Sequence, residues 1–221
     1  MSEVLKVLDL CCGLGGFSSA FEHSDRWEVT TVDIEPAFDP DIVADVTDLL
    51  PSDFDDDYVL VLVSPPCTQF SFACSSLERF IDGEPQTDDA RDAVALVYHV
   101  IGLVKGLNPD YWFMENPQGW LRQVIGYPEG RVTYCQYGKD YMKPTDLWGD
   151  HPPDFEYRSC NPGDGCHAHN TDGDHGGKGN CEVIGDTAAE RSLVPYELSE
   201  SIRQSVEAAI DQPQAKQSTL L

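Results

Sequence analysis

The chain has 221 residues, 41% of them hydrophobic, enough for one domain with a sizeable core and a small appendage. No apolar run approaches membrane-spanning length, and MSEVLKVLDLCC lacks the charged and apolar regions of a signal peptide, so a cytoplasmic monomer with no membrane partner is expected. The formal charge of −25, from 25 Asp and 14 Glu against 6 Lys and 8 Arg, argues against a polyanionic partner at ordinary salt. A lysine-poor acidic surface is also halophilic in character, and at about 1 M salt the screening length falls to roughly 3 Å, so the charge weakens a nucleic-acid reading without excluding it. The eight cysteines are read as core, catalytic or metal-binding residues, because intracellular thiols are kept reduced.

In chain order, VLKVLDL (4–10) reads as a buried strand entering the glycine-rich turn CCGLGG. A helix is predicted from about Phe17 to His23, then a strand, WEVTTVDI (27–34), and a short apolar segment, DIVADV (41–46). Val59 to Val63 is apolar on both faces, the mark of a parallel strand covered by helices. Pro65 and Pro66 end it, since proline donates nothing to the ladder. From Asp89 to Leu107 apolar residues fall at 93, 94, 97, 100, 101, 104 and 107, which predicts a helix with one buried face. YWFMENP (111–117) begins another strand, RVTYCQYG (131–138) is read as one more, and Leu198, Ile202, Val206 and Ile210 form the stripe of a closing helix. Strands alternating with helices predict an α/β fold with a mostly parallel, Rossmann-like sheet.

Such sheets bind ligands at the carboxyl ends of their strands. Gly13, Gly15 and Gly16 lie between a strand and a helix, where they either let a ligand approach the backbone or simply make a tight turn. Asp33 and Asp45 end the next two apolar segments. One suits ribose hydroxyls and the other an adenine amine, although each alone could equally be surface. Cys67 follows the two prolines as a candidate nucleophile. Glu115 follows the apolar stretch YWFM, where it is either an exposed loop residue or an acid whose pKa is raised.

DLCCGLGGFS, VDIEP, ADVTDL, SPPCTQFS, DDAR and ENP occur in the order of the motifs of DNA cytosine-5 methyltransferases. The chain resembles that family from residue 7 to about 150, as a short virus- or phage-like member. The resemblance implies a Rossmann-like S-adenosylmethionine-dependent methyltransferase fold. It assigns Asp9, Cys11, Gly13, Gly15 and Gly16 to the amino-acid part of the cofactor, Asp33 to its ribose, and Ile34, Asp45 and Val46 to its adenine. It also implies that Cys67 adds to C6 of a cytosine flipped out of double-stranded DNA while Glu115 donates to N3. Cysteine suits this step because it is strongly nucleophilic and a good leaving group. Only about 3% of a thiol at its reference pKa is ionised near pH 7, so a helix amino terminus or a nearby cation is expected to help. The segment Thr68–Asp88, with Phe70, Phe72, Phe80 and Gly83, is expected to close over the base. The same motifs also serve enzymes acting on transfer RNA, and a protein holding cofactor or DNA without turnover is a further alternative. A restriction-modification role is one biological context for such a mark.

The family's arginine after YG is missing from CQYGKDYMKPTDLWG. Lys143 is the candidate replacement, without the bidentate fork of arginine. The expected division is a catalytic and cofactor-binding domain (1–148), a small irregular insertion (149–185), a closing helix (186–211) and a tail (212–221). The insertion contains Cys160, Cys166, His167, His169, His175 and Cys181, read either as metal ligands or as part of a polar DNA-facing loop. Residues 116–180 carry six of the 14 basic residues and nine of the 39 acids, the least hostile stretch for phosphate.

Overall fold

The computed structural model describes residues 4–54, 57–72, 79–167, 169–170, 190 and 192–212. Seven strands form its main sheet: β1 (Leu5–Leu10), β2 (Trp27–Asp33), β3 (Ile42–Val43), β4 (Leu60–Val63), β7 (Tyr111–Pro117), β8 (Gly130–Thr133) and β10 (Pro144–Asp150). Their order is β3-β2-β1-β4-β7-β10-β8. The first five run parallel, and β10 enters antiparallel between β7 and β8. The chain leaves β1 towards β2 on one side, and β4 and β7 continue on the other. The topological switch therefore lies between β1 and β4, where ligands of open α/β sheets bind. Two smaller pairings complete the strands: the hairpin of β5 (Phe80–Ile81) and β6 (Glu84–Pro85), and β9 (Tyr141–Met142) with β11 (His169–Asn170).

Strand alternation divides the core into two layers. Leu60, Leu62, Val7 and Phe113 pack with Phe17, Phe21 and the stripe Leu198, Ile202 and Val206 of the closing helix α4 (Tyr196–Asp211). Val61, Val63, Leu8, Leu10 and Met114 pack with Val97, Val100, Leu103 and Val104 of α2 (Asp88–Leu107). Helix α2 starts where the Thr87 side chain accepts from the Ala90 amide and stops at Asn108, whose left-handed backbone (φ 52°) turns the chain. Among the described residues, no helix is long and apolar enough to cross a membrane.

Two expectations need correction, and one strand was not foreseen. The first helix, α1, is only Ser19–Glu22, because the glycine-rich segment before it stays in turns. RVTYCQYG is a strand only to Thr133. Tyr134 and Tyr137, three apart, are both buried, a spacing that suits the 3-10 turn found over Tyr134–Tyr137. β10 was hidden by Pro144 and Asp146; the latter is fully buried and bound bidentately by Arg122 (2.6 and 2.5 Å) from α3 (Leu121–Ile125).

Helix α4 is tied back at both ends. Arg26 binds Asp211 through two hydrogen bonds (2.8 and 2.5 Å), and the Trp27 indole donates to Glu207 at 2.7 Å. At the other end, Ser199 donates to the Phe17 carbonyl (2.6 Å) and accepts from the Ala20 amide (3.1 Å). Ser18, the residue before α1, makes no side-chain cap, so Ser199 caps α1 from a distant helix. Replacing Ser199 with Ala strands a buried amide. It is expected to lower unfolding free energy by about 1–2 kcal/mol, measured by urea denaturation, and an unchanged midpoint would refute the cap.

Candidate active site

The site is built from four strand ends. β1 passes into Cys11, Cys12 and Gly13, with positive φ at Cys11 (57°), Gly13 (52°) and Gly15 (72°). This coil of backbone is closed by Gly15 N–H donating to the Cys12 carbonyl (2.9 Å). It is tied to β2 by Gly13 N–H donating to Asp33 Oδ2 (2.8 Å); the other Asp33 oxygen accepts from the Glu35 amide (2.9 Å). Nothing lies within 4 Å of where a Gly13 side chain would begin, so that face of the turn is open. A Cβ on Gly16 would instead strike the Val194 backbone at 2.8 and 2.9 Å, so this glycine admits the segment leading to α4. Ile34 lies 65% exposed beside Asp33, and Val46 is buried. Asp45 uses Oδ1 to accept from the Thr47 amide (2.9 Å) and hydroxyl (2.7 Å), which lowers its pKa.

Asp9 lies beneath the turn, fully buried, and neither carboxylate oxygen has a hydrogen bond of good geometry. Burial is the main cause that pushes its pKa up to about 7. Ser18 opposes the shift, and the Glu22 and Asp33 charges add to it. Burial also raises the Cys12 thiol to about 12 and Cys11 further still, with Asp9 and Asp33 contributing, so neither competes as a nucleophile near neutral pH.

Cys67 follows β4 and Glu115 lies on β7, one position beyond the Val63–Met114 register pair. What joins the two is Asn116, fully buried, whose side-chain amide donates to the Pro65 carbonyl at 2.9 Å. The Cys67 carbonyl then accepts from the Phe70 (3.0 Å) and Ser71 (2.9 Å) amides, so the half-buried cysteine heads a single helical turn. Gly119 closes the arrangement from β7's far end, since a Cβ there would meet the Phe70 carbonyl oxygen. The Arg79 guanidinium donates to the Thr68 carbonyl, placing a cation one residue from the cysteine.

Glu115 is buried, and its Oε1 accepts from the Tyr134 hydroxyl at 3.0 Å. Lys143, also buried, has Nζ 3.5 Å from that hydroxyl and 4.5 Å from the ring centre. Burial raises the Glu115 pKa and Asp146 adds to it, whereas Lys143 and Tyr134 pull it down.

Reading the sequence alone missed Asn116, Tyr134 and Arg79 as parts of this constellation. The ENP motif held the signal for Asn116. Tyr134 and Arg79 carried none, because one lies in an assumed strand and the other in an assumed loop. Phe70 and Phe80, expected in a closing loop, are buried and stack at 5.7 Å, so they belong to the core. Phe72 is partly exposed against Trp120, and Gly83 packs on the Gln123 backbone. Of the candidate metal ligands, Cys160, Cys166 and His167 come together; His169 is described by its backbone pairing with Tyr141. His175 and Cys181 lie outside the described residues.

The chain resembles the Entamoeba histolytica methyltransferase EhMeth, with a TM-score of 0.52 and 12% identity, over 72% of this chain and 58% of that one. It also matches a prophage-encoded E. coli protein described as a DNA modification methyltransferase, with a TM-score of 0.46 and 18% identity, over 66% of this chain and 46% of that one. The chain thus spans about half the length of these structures. No curated protein sequence matches it. The profile of C-5 cytosine-specific DNA methylases matches residues 5–124, and the chain belongs to that family.

The buried Asp9 carboxyl generates a prediction of its own. A carboxyl whose folded pKa lies above its unfolded value stabilises the fold most at low pH, and that contribution is lost as pH rises through the folded pKa. From a reference of 3.8 to about 7, the wild type is expected to lose about 4 kcal/mol relative to Asp9→Asn. Denaturant unfolding of both proteins between pH 4 and pH 8 measures this, and parallel stability curves would refute it.

Proposed function

We propose that the protein transfers a methyl group from S-adenosylmethionine to C5 of cytosine in DNA, with Cys67 as nucleophile and Glu115 as acid. The observation that supports this most is the joined pair of strand ends. The Asn116–Pro65 hydrogen bond fixes the cysteine loop against the strand carrying Glu115, in a chain of the C-5 cytosine-specific methylase family.

The glycine-rich turn fits the cofactor on two counts. The open face at Gly13 leaves room for a ligand against the backbone, and the orphaned Asp9 carboxylate beneath it suits an amino group. Asp9, Cys11, Gly13, Gly15 and Gly16 would hold the amino-acid part, Asp33 the ribose, and Ile34, Asp45 and Val46 the adenine. When bound, S-adenosylmethionine supplies an activated methyl group on a sulfonium.

The chain's own residues prepare the base. Cys67, as thiolate, adds to C6 and makes C5 electron-rich; loss of the C5 proton later expels the thiol. Glu115, whose pKa burial raises, donates to N3 in its acid form and draws charge from C6, while the Tyr134 hydroxyl holds the carboxyl in place. Lys143 occupies the region of the missing arginine and acts on Tyr134 and Glu115 from within the protein.

The phosphate face is sparse. Arg122 is paired with Asp146, Arg158 lies over the Tyr137 ring at 4.1 Å, and Lys143 is buried. Long-range repulsion from a chain of charge −25 should then dominate at low salt, as expected for a protein of a salt-rich cytoplasm. DNA affinity is expected to strengthen as salt rises from about 0.1 to about 1 M, where screening shortens from roughly 10 to 3 Å. Fluorescence anisotropy with a labelled duplex measures this, and the usual steep weakening would refute it.

The chemistry is tested in high salt with S-adenosylmethionine and DNA containing 5-fluorocytosine, whose C5 substituent cannot leave as a proton. A covalent adduct is expected with wild type and none with Cys67→Ser. Glu115→Gln should slow methylation of ordinary DNA by about 10²–10⁴-fold. An adduct with RNA alone would move the substrate to RNA, and cofactor binding without any adduct would overturn the catalytic reading.

A further inference from the structure

The structure gathers four metal-binding side chains outside the active site: Cys135, Cys160, Cys166 and His167. Their ligand atoms all lie within 4.8 Å of one another. Cys135 Sγ is 3.1 Å from Cys160 Sγ and 3.8 Å from Cys166 Sγ; His167 Nδ1 is 3.6 Å from Cys160 Sγ and 3.4 Å from Cys166 Sγ. A tetrahedral zinc ion with Zn–S about 2.3 Å and Zn–N about 2.0–2.1 Å puts sulfurs about 3.8 Å apart and sulfur about 3.6 Å from nitrogen. We propose that Cys135, Cys160, Cys166 and His167 form a structural zinc site.

The surrounding chain supports a metal over the alternatives. Asn161 to Gly165 is exposed and has no apolar side chain except Pro162, so no core draws Cys166 and His167 back to Cys135. The loop makes its own turn, with the Asn161 amide donating to Asp164 Oδ2 at 2.8 Å, but that bond lies within the loop and does not aim two ligands at two distant sulfurs. A disulfide between Cys135 and Cys160 would need their sulfurs at about 2.05 Å and would leave Cys166 and His167 without a common partner. Outer-shell contacts are in place. The Thr133 hydroxyl accepts from the Cys160 amide (2.9 Å) and donates towards its sulfur (3.4 Å), and Arg131 donates to the Cys160 carbonyl (3.2 Å).

Three sulfurs and one nitrogen fill a tetrahedron, which makes the site closed and structural, with no position left for water or substrate. Binding converts three thiols to thiolates and releases their protons to solvent. Its effect on the rest of the molecule follows from sequence adjacency: Cys135 directly follows Tyr134, whose hydroxyl donates to Glu115. Zinc would staple the segment after β10 to the turn that positions the Glu115 carboxyl.

The test starts with metal analysis of the full chain, purified under reducing conditions from zinc-supplemented cells. One zinc per chain is expected, lost in Cys135→Ser, Cys160→Ser, Cys166→Ser and His167→Ala and retained in Cys74→Ser and Cys181→Ser. Because a ligand variant can fail to fold, wild type is also exchanged into cobalt. A thiolate-to-cobalt charge-transfer band with intense d–d bands marks tetrahedral sulfur ligation. A thiol reagent should then modify three fewer cysteines with metal bound than after chelation, and chelation should lower the melting temperature. Absence of stoichiometric metal after refolding with excess zinc would overturn the proposal, and so would zinc that survives the four ligand substitutions or is lost with Cys181→Ser.

Discussion

The hydrogen bond from the Asn116 side chain to the Pro65 carbonyl holds the candidate active site together. Two prolines remove two ladder donors at the end of β4, so the chain leaves the sheet there and needs another fixed point. Asn116 supplies it from β7, the neighbouring parallel strand, and is itself fully buried. Both catalytic candidates therefore take their positions from the carboxyl ends of two adjacent central strands. Glu115 is part of the strand, and Cys67 is two residues beyond the tethered carbonyl. The Trp120 amide donating to the Phe70 carbonyl (2.8 Å) fastens the turn that Cys67 begins, so the cysteine is held on both sides by the chain that follows Glu115.

Around this frame the protein buries charge in an order that suits its chemistry. Asp146 is neutralised by a bidentate arginine and serves as a structural anchor of β10. Glu115, close by, is given no arginine among the described residues; it has a tyrosine hydroxyl and the charge of Lys143 beside it. The difference matters because a bidentate arginine would lock a carboxylate in its ionised form, whereas at Glu115 burial outweighs the pull of Lys143 and Tyr134 and raises the pKa. Asp9 is the extreme case, buried with neither partner, which costs stability as soon as it ionises. A buried acid left incomplete at a strand end is a group that a cationic ligand would complete.

Much of the fold was legible because its signals are local. The both-face apolar run of β4, the helical spacing of α2 and the stripe of α4 each state their burial in one stretch of chain. β10 was not legible, since Pro144 and Asp146 look like loop residues until Arg122, 24 positions earlier, supplies the partner. The α1 cap was hidden for the same reason: Ser199 lies 179 residues from the amide it satisfies. In the site, Cys67, Glu115 and the glycine-rich turn stood out because each adjoins a recognisable strand. Tyr134 and Cys135 did not, because alternation was assumed to continue through a segment that turns instead.

That same turn links the two halves of the chemistry. Tyr134 faces inward to Glu115, and Cys135, the next residue, faces the sulfur cluster. A 3-10 turn separates successive side chains by about 120°, so adjacent residues can serve two different environments where a strand would send one of them into the opposite layer. The left-handed Gly138 that ends the turn (φ 82°) and Glu197 of α4, whose carboxylate would meet a Cβ there at 2.6 Å, fix its far side. Burial of Tyr134 and Tyr137 fixes its near side. The turn is thus set by packing, by a glycine and by the closing helix, and the Glu115 carboxyl that Tyr134 holds inherits its position from all three.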